Sequence, residues 1–215
     1  TQADFTEPGE IKRFLGASQL AFLDSLMWTD GYLEAASMGN AFKALRAEDM
    51  IINPAIERYY LGHETKPNNL MAWNADGTRM PAAMHSRYLK ALYMENQLSA
   101  CKFMVDGKPV AIQDIRTPFF IIGTTTDHVA PWKSVYKIQQ LGRSEVTFLL
   151  TTGGHNAGIV CGPEHPRRKF QIMTHDPMDK YIDPDTWAAT VETQQGSWWP
   201  VWNHWLNEQS IGETT

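Results

Sequence analysis

Two continuous apolar runs, FFIIGTTT directly after Pro118 and VTFLLTT at 146–152, most constrain what this chain can fold into. Both runs are bounded by turn residues, which predicts strands buried on both faces, as in a parallel sheet. The segment between them, WKSVYKIQQLG, has the pattern of a helix that ends at Gly142. Residues 118–152 are therefore predicted to form one βαβ unit, the minimum element of an α/β fold.

The rest of the chain is predicted to be mainly helical, so it offers few partners for these two strands. Two buried parallel strands do not make a stable sheet alone, which implies that further strands lie outside this chain or come from a partner. One short hairpin is predicted at 103–112, with Asp106-Gly107 as its turn. Helices are predicted over 11–29, 32–47, 49–61, 82–98 and 200–209, whereas 63–80 is predicted as a loop and 162–197 as irregular.

Composition sets the broad class of the protein. Its 215 residues are 43% apolar and 11% aromatic, enough for one sizeable core. The net charge of −5 argues against a general nucleic-acid binder. No apolar run approaches the length of a transmembrane helix, the N-terminus lacks the plan of a signal peptide, and no donor set has metal-ligand spacing. With two cysteines and no CxxC pair, the chain is expected to be reduced and cytoplasmic.

The residues that carry chemistry follow the two predicted strands. Asp127 lies just past the end of the first strand, and His155 lies just past the end of the second. Ligands of α/β sheets bind in the crevice outside the carboxyl ends of the strands. An acid after one strand and a histidine after the next is the chain order of the acid and base in an α/β-hydrolase triad. Aspartates are also common in turns, and seven histidines allow a chance pairing, so a purely structural role stays open.

The attacking group of such a triad is not evident in this sequence. It would lie earlier in the chain, in a G-x-[SC]-x-G elbow. The segments 16–20 and 142–146 both lack the closing glycine, and neither Cys101 nor Cys161 has flanking glycines in register. The sequence thus predicts an acid and a base without a nucleophile.

Four further segments stand out in the sequence: WNADGTRMPAAMHSRYLKALYMEN (73–96), TTTDHVAPW (124–132), GGHNAGIV (153–160) and GSWWPVW (196–202). Together they resemble the polyhydroxyalkanoate synthases, most closely the class I type, also called poly(3-hydroxybutyrate) polymerase. The resemblance covers nearly the whole chain but only the carboxyl-terminal part of such an enzyme. It implies an α/β-hydrolase fold that is incomplete here, with a mainly helical cap followed by the last two parallel core strands and carboxyl-terminal helices.

The resemblance also implies a division of the chain. Residues 1–9 would be the exit from the sixth core strand, 10–115 the cap, and 116–215 the carboxyl-terminal part of the core. The family's nucleophile, a cysteine, would lie upstream of Thr1. The chain alone is therefore expected to be inactive, with the amino-terminal core strands missing from it.

The resemblance implies a role for four residues in an acyltransferase that polymerises (R)-3-hydroxyacyl-CoA with release of CoA. His155 would activate the cysteine thiol, and Asp127 would support His155 or help to deprotonate the 3-hydroxyl of the incoming monomer. Arg46 is a candidate contact for CoA phosphates, although an exposed helix arginine is an equal alternative. His128 is a candidate substrate contact, or it only shapes its loop. No cofactor is expected beyond the CoA thioester substrate, and no metal.

The partners and place implied by the resemblance are the growing polyester chain, a homodimer formed through the cap, and a cytoplasmic location at the surface of polyester granules. The family often has isoleucine where Asn156 stands, and Asn-Pro-Pro where Cys161-Gly162-Pro163 stands, which leaves the acyl preference open. The alternatives are a fragment of a depolymerase or thioesterase on the same fold, and a non-catalytic cap or dimerisation module. The tryptophans at 198–205 favour packing over polymer binding, and His85 favours a core or interface position.

Overall fold

The computed structural model of the protein describes residues 2–45, 47–64, 68–165 and 167–210. The chain divides into two compact units. One is built from residues 13–90, and the other combines 1–12 with 91–215. The first unit lies inside the bounds of the predicted cap, 10–115, which itself stays a prediction. No helix in the described ranges has the length and apolar character needed to cross a membrane.

The unit of residues 13–90 is mainly helical. A two-stranded antiparallel pair within it matches Tyr32 with Pro81 and Leu33 with Met80. The elements are α1 (Ala17–Met27), β1 (Tyr32–Leu33), α2 (Ala35–Leu45), α3 (Asn53–Tyr59), α4 (Asn69–Ala75), β2 (Met80–Pro81) and α5 (Ala82–Tyr88), with π-helical turns at Glu48–Ile52 and Leu89–Met94.

The sequence-based boundaries in this unit differ from the structure at several places. The predicted helix 32–47 begins too early, because Tyr32 and Leu33 form β1 and α2 starts at Ala35. The predicted helix 11–29 is a 3-10 helix, Gly9–Phe14, followed by α1, with Gly16 in extended conformation between them. The predicted loop 63–80 is wrong in part because it contains α4. The Asn68 side chain starts this helix by accepting a hydrogen bond of 2.8 Å from the amide of Met71, so an asparagine that signals a turn here acts as a helix cap.

His85, on α5, is buried, with 4% of its surface exposed, and its Nδ1 lacks a hydrogen-bond partner among the described residues. Burial lowers the pKa of His85 below its ordinary value of 6.5, and the carboxylate of Asp24 offsets only part of this effect. The folded state therefore resists protonation at a pH where the unfolded chain accepts a proton.

We expect the helical unit to lose stability as the pH falls below 6.5, the ordinary value of this histidine. The stabilisation that comes from a neutral His85 is complete above that value. It declines as the pH falls, until the pH reaches the lowered pKa of the folded state. Hydrogen exchange of the α5 amides at pH 7.5 and 5.5 measures the change. A His85→Gln variant should show a smaller difference between the two pH values; an equal difference would contradict the assignment.

The second unit contains the predicted hairpin and the predicted βαβ unit. In the hairpin, Asp106 and Gly107 have φ values of 48° and 75°, the left-handed pair that a tight two-residue turn requires. The elements are β3 (Phe103–Val105), β4 (Lys108–Val110), β5 (Phe119–Thr124), α6 (Trp132–Tyr136), α7 (Ile138–Leu141), β6 (Val146–Thr151), β7 (Lys169–His175), α8 (Pro184–Thr190), β8 (Thr193–Gln195) and α9 (Trp199–Gln209), with a 3-10 turn at Ile112–Asp114.

The main sheet has four strands in the order β5-β6-β7-β8. Strands β5 and β6 are parallel, which confirms the βαβ prediction, whereas β7 and β8 are antiparallel to their neighbours. The prediction of an irregular 162–197 is wrong, and so is the inference that the two parallel strands have no partners in this chain. Polar residues such as Gln171 and Thr174 interrupt the apolar pattern of β7, because an antiparallel strand beside the centre of a sheet needs only partial burial.

Strand β6 is the centre of the core, because all six of its residues are buried. Alternate side chains enter separate clusters on its two faces. Phe148 and Leu150 pack with Tyr136 and Trp187 on the face covered by α6 and α8. Leu149 packs on the other face with Trp198, at the start of α9. This confirms the prediction of a strand buried on both faces.

Phe148→Ala is expected to lower the free energy of unfolding of this unit by about 3–5 kcal/mol. The ring is fully buried and meets Tyr136 and Trp187 edge-on, at centroid distances of 4.9 and 5.1 Å. Urea denaturation measures the loss. Met178→Ala is the control, because Met178 is 91% exposed and its truncation should change stability by less than about 0.5 kcal/mol. Equal effects of the two variants would contradict this description of the core.

Candidate active site

The parallel pairing of β5 and β6 brings the two loops that follow them together. Thr124 and Thr151, the last residues of the strands, are register partners. The pairing continues past the strand ends, where the amide of Thr125 donates to the carbonyl of Thr151 at 3.0 Å and that of Thr126 donates to the carbonyl of Gly153 at 3.1 Å. The residues that come next in each loop are therefore held side by side at the carboxyl edge of the sheet.

Asp127 and His155 meet at this edge. The Oδ2 of Asp127 lies 2.8 Å from Nδ1 of His155. The other carboxylate oxygen, Oδ1, accepts hydrogen bonds of 2.8 Å from the amides of Val129 and Ala130, which closes a turn around the aspartate. The carboxylate is thus fixed by its own loop and presents one oxygen to the imidazole.

The two side chains differ in exposure. The side chain of Asp127 is 8% exposed, and that of His155 is 45% exposed. Burial raises the pKa of Asp127, but the hydrogen bonds from His155 and from the amides of Ala130 and Val129, together with the charge of the imidazole, outweigh it and leave the pKa below its ordinary value. The site therefore pairs an ionised, sheltered carboxylate with an imidazole that solutes can reach.

The loop after β6 is held by the GSWW segment, whose side chains donate to three carbonyl groups of this loop. These bonds run from Ser197 Oγ to Cys161 at 2.8 Å, from Trp198 Nε1 to Gly158 at 3.2 Å, and from Trp199 Nε1 to Ile159 at 3.0 Å. The sequence indicated packing for these tryptophans but did not indicate that their N–H groups anchor the histidine loop. The partners lie 36 to 40 residues apart, so no local pattern signals them.

The loop after β5 is held by the amino-terminal segment. The amide of Glu10 donates to the carbonyl of His128 at 3.0 Å. Gly9 has a φ of +76°, and a Cβ at this position would lie 2.5 Å from the same carbonyl oxygen. The backbone of His128 is therefore clamped, while its half-buried side chain keeps the predicted substrate role as a prediction. Arg46, the fourth predicted site residue, lies outside the described residues.

The structure adds no nucleophile to the pair. Within the described residues, no cysteine or serine side chain is hydrogen-bonded to the ring of His155. Cys161 is buried, and Cys101 is exposed and lies just before β3. The part of the chain that the structure describes also contains no group of His, Cys, Asp and Glu side chains that could hold a metal ion.

Comparison with known proteins finds relatives that align with almost the whole chain. It is 38% identical over 206 residues to the poly(3-hydroxyalkanoate) polymerase subunit PhaC of Rhizobium etli, covering 96% of this chain and 32% of that protein. It is 36% identical over 210 residues to the poly(3-hydroxyalkanoate) polymerase of Methylorubrum extorquens, with 98% and 34% covered. The subunit PhaC of Cupriavidus necator is 29% identical over 216 residues, with 98% and 36% covered.

No protein-family model matches the chain. The chain spans about a third of the length of the curated relatives that it matches. Since the matches extend over almost all of its residues, they include both loops of the Asp127–His155 pair. Over nearly its whole length the chain is homologous to part of the poly(3-hydroxyalkanoate) polymerases.

Proposed function

We propose that this chain supplies the acid and base of an acyltransferase that polymerises (R)-3-hydroxyacyl groups from their CoA thioesters. The observation that carries the proposal is the 2.8 Å hydrogen bond between Asp127 and His155 at the carboxyl ends of two parallel strands. The family relationship supports the acyl transfer, and the absence of a nucleophile bonded to His155 among the described residues supports a cysteine supplied from elsewhere.

The bond to Asp127 sets the protonation state of the imidazole. A carboxylate that accepts from Nδ1 keeps the proton on that nitrogen, so Nε2 carries the lone pair. Nε2 would take the proton of a cysteine thiol as the sulfur attacks the thioester carbonyl. The bond between the acyl carbon and the CoA sulfur then breaks, and the imidazolium returns the proton to the departing CoA thiolate.

The chain would grow by a second transfer at the same pair. The 3-hydroxyl of one acyl group attacks the thioester carbonyl of another, and Nε2 takes the hydroxyl proton. The new ester bond forms as the carbon–sulfur bond breaks, so the charge on the leaving thiolate is again neutralised by the imidazolium. The site would thus use one base for both half-reactions.

Of the two roles considered for Asp127, its surroundings favour support of His155. One carboxylate oxygen already accepts two amide hydrogen bonds, the other accepts from the imidazole, and only 8% of the side chain is exposed. Direct deprotonation of a substrate hydroxyl would need an accessible oxygen. We therefore assign Asp127 to orienting the imidazole and stabilising its protonated form.

The finer features implied by the family remain part of the proposal. These are an α/β-hydrolase fold completed by strands from the rest of the polymerase, a cap over 10–115 that forms a homodimer, Arg46 and His128 as substrate contacts, and action at the surface of polyester granules in the cytoplasm. The open outer side of β5, which pairs only with β6 among the described strands, supports an extension of the sheet there.

A chimera tests the proposal directly. In it, this chain replaces the matching segment of the Rhizobium etli polymerase, and CoA release from (R)-3-hydroxybutyryl-CoA is followed with a thiol reagent. We expect release together with polyester formation. A folded chimera that binds the thioester but releases no CoA would contradict the proposal, and release without polymer would favour a thioesterase.

A further inference from the structure

Arg168 makes three hydrogen bonds to the loop that carries His155. Its Nη1 donates to the carbonyl of Thr152 at 2.9 Å, and its Nη2 donates to the carbonyl of Ala157 at 2.7 Å. Its Nε lies 3.2 Å from the Sγ of Cys161. The guanidinium therefore joins a residue before His155 to two residues after it.

Two hydrogen bonds between Thr152 and Lys169 hold the backbone next to Arg168 in place. The amide of Lys169 donates to Oγ1 of Thr152 at 3.1 Å, and the amide of Thr152 donates to the carbonyl of Lys169 at 2.9 Å. Arg168 therefore stands directly beside the exit of β6, at the point where β7 begins. The guanidinium of Arg168 therefore extends from a backbone position that is bonded to the sheet, and its hydrogen bond sets the position of Ala157.

Gly153 makes room for the guanidinium. Its φ of +118° belongs to the region that favours glycine, and a Cβ there would lie 2.4 Å from Nη1 of Arg168. A side chain at position 153 would be strained at this φ and would displace the guanidinium from its place beside the loop. This close approach explains the first glycine of the GGH sequence.

The other anchors of the loop hold a different part of it. Ser197, Trp198 and Trp199 donate to carbonyls from Gly158 onward, downstream of the histidine. Among the hydrogen bonds of the described residues, those of Arg168 are the side-chain contacts that bridge the upstream and downstream ends of the segment containing His155. The backbone closes the same segment once, since the amide of Gly158 donates to the carbonyl of Gly154 at 3.0 Å, and Arg168 ties this closed turn to the strand exit.

We propose that Arg168 is a positioning residue that holds the imidazole of His155 at hydrogen-bond distance from Asp127. The planar guanidinium suits this task, because its parallel N–H groups fix two carbonyl groups at once in one geometry. A lysine ammonium, with a single nitrogen, does not. The catalytic meaning of the inference rests on the proposed function, but the bond that Arg168 maintains is observable without any turnover.

The test is nitrogen NMR of this chain with ¹⁵N-labelled histidine, with the His155 signals assigned by comparison with a His155→Gln variant. The wild-type chain should show a proton on Nδ1, protected from exchange with water by the bond to Asp127. Arg168→Met should lose this protected proton, and Arg168→Lys should lose it as well. Arg167→Met is the matched control, because the neighbouring arginine is exposed and should leave the signal unchanged.

Amide protection in β6 reports whether each variant is folded. A folded Arg168→Met or Arg168→Lys variant with the wild-type Nδ1 signal would overturn the inference; if the methionine variant does not fold, the lysine variant decides. Loss of the signal in Arg167→Met would also overturn it, since a general change of charge would then suffice. A wild-type chain without a protected Nδ1 proton would overturn the Asp127–His155 pair itself, and with it the proposed function.

Discussion

Replacing His155 with alanine is expected to reduce CoA release by the chimera by about 10⁴-fold to 10⁶-fold. In the proposed mechanism the imidazole takes the proton of the nucleophile, since Asp127 binds one of its nitrogens and leaves the other as an acceptor. Alanine removes the base while preserving the backbone of the loop. The measurement is the initial rate of thiol release from (R)-3-hydroxybutyryl-CoA at saturating substrate.

His204→Ala is the matched control for this variant. His204 lies on α9, its side chain is 74% exposed, and its Nε2 lies 3.2 Å from Oε1 of Glu208, one helical turn away. We expect the control to keep the parental rate, because an exposed pair of this kind contributes little to stability. A folded His155→Ala chimera that releases CoA as fast as its parent would refute the role of His155.

Asp127→Asn is expected to lower the rate of CoA release by about 10⁴-fold with little change in the folded structure. The asparagine can still accept from the amides of Val129 and Ala130, so the turn is retained. Its amide group, however, donates where the carboxylate accepts. The imidazole would then carry its proton on Nε2, the wrong tautomer for a base.

The stability of the parent chain and of Asp127→Asn at low pH separates the change of tautomer from a loss of folding. Because the pKa of Asp127 is below its ordinary value of 3.8, the ionised carboxylate stabilises the folded state above that value, and this contribution is lost as the pH falls through the lowered pKa. The parent chain should therefore lose more stability than Asp127→Asn upon acidification below 3.8. Equal losses, or an unchanged rate of CoA release, would contradict the assignment.

The sequence predicted the part of the fold that is locally encoded. The apolar runs at 119–124 and 146–151 predicted the two parallel strands, because a strand that is covered on both faces carries few polar residues. Their parallel pairing then placed Asp127 and His155 at one edge of the sheet. The meeting of these two side chains could be predicted because each residue closely follows one of the strands.

Strand β7 and the anchors of the histidine loop could not be predicted in the same way. The pairing of β7 with β6 depends on partners 19 to 29 residues apart, and its mixed pattern resembles that of a loop. Arg168 reaches Thr152 from 16 residues away, and the tryptophans reach their carbonyls from 40. Such bonds follow from the packing of the sheet, and neither spacing nor residue type indicates them beforehand.

The most direct test of the account compares CoA release from (R)-3-hydroxybutyryl-CoA by the 215-residue chain alone and by the chimera. We expect no release by the chain alone, because in the proposed function it supplies the acid and base without the nucleophile, and we expect release by the chimera that depends on His155. Release by the purified chain that disappears in its His155→Ala variant would contradict this expectation. The nucleophile would then lie within this chain, at Cys101, Cys161 or a water molecule activated by His155.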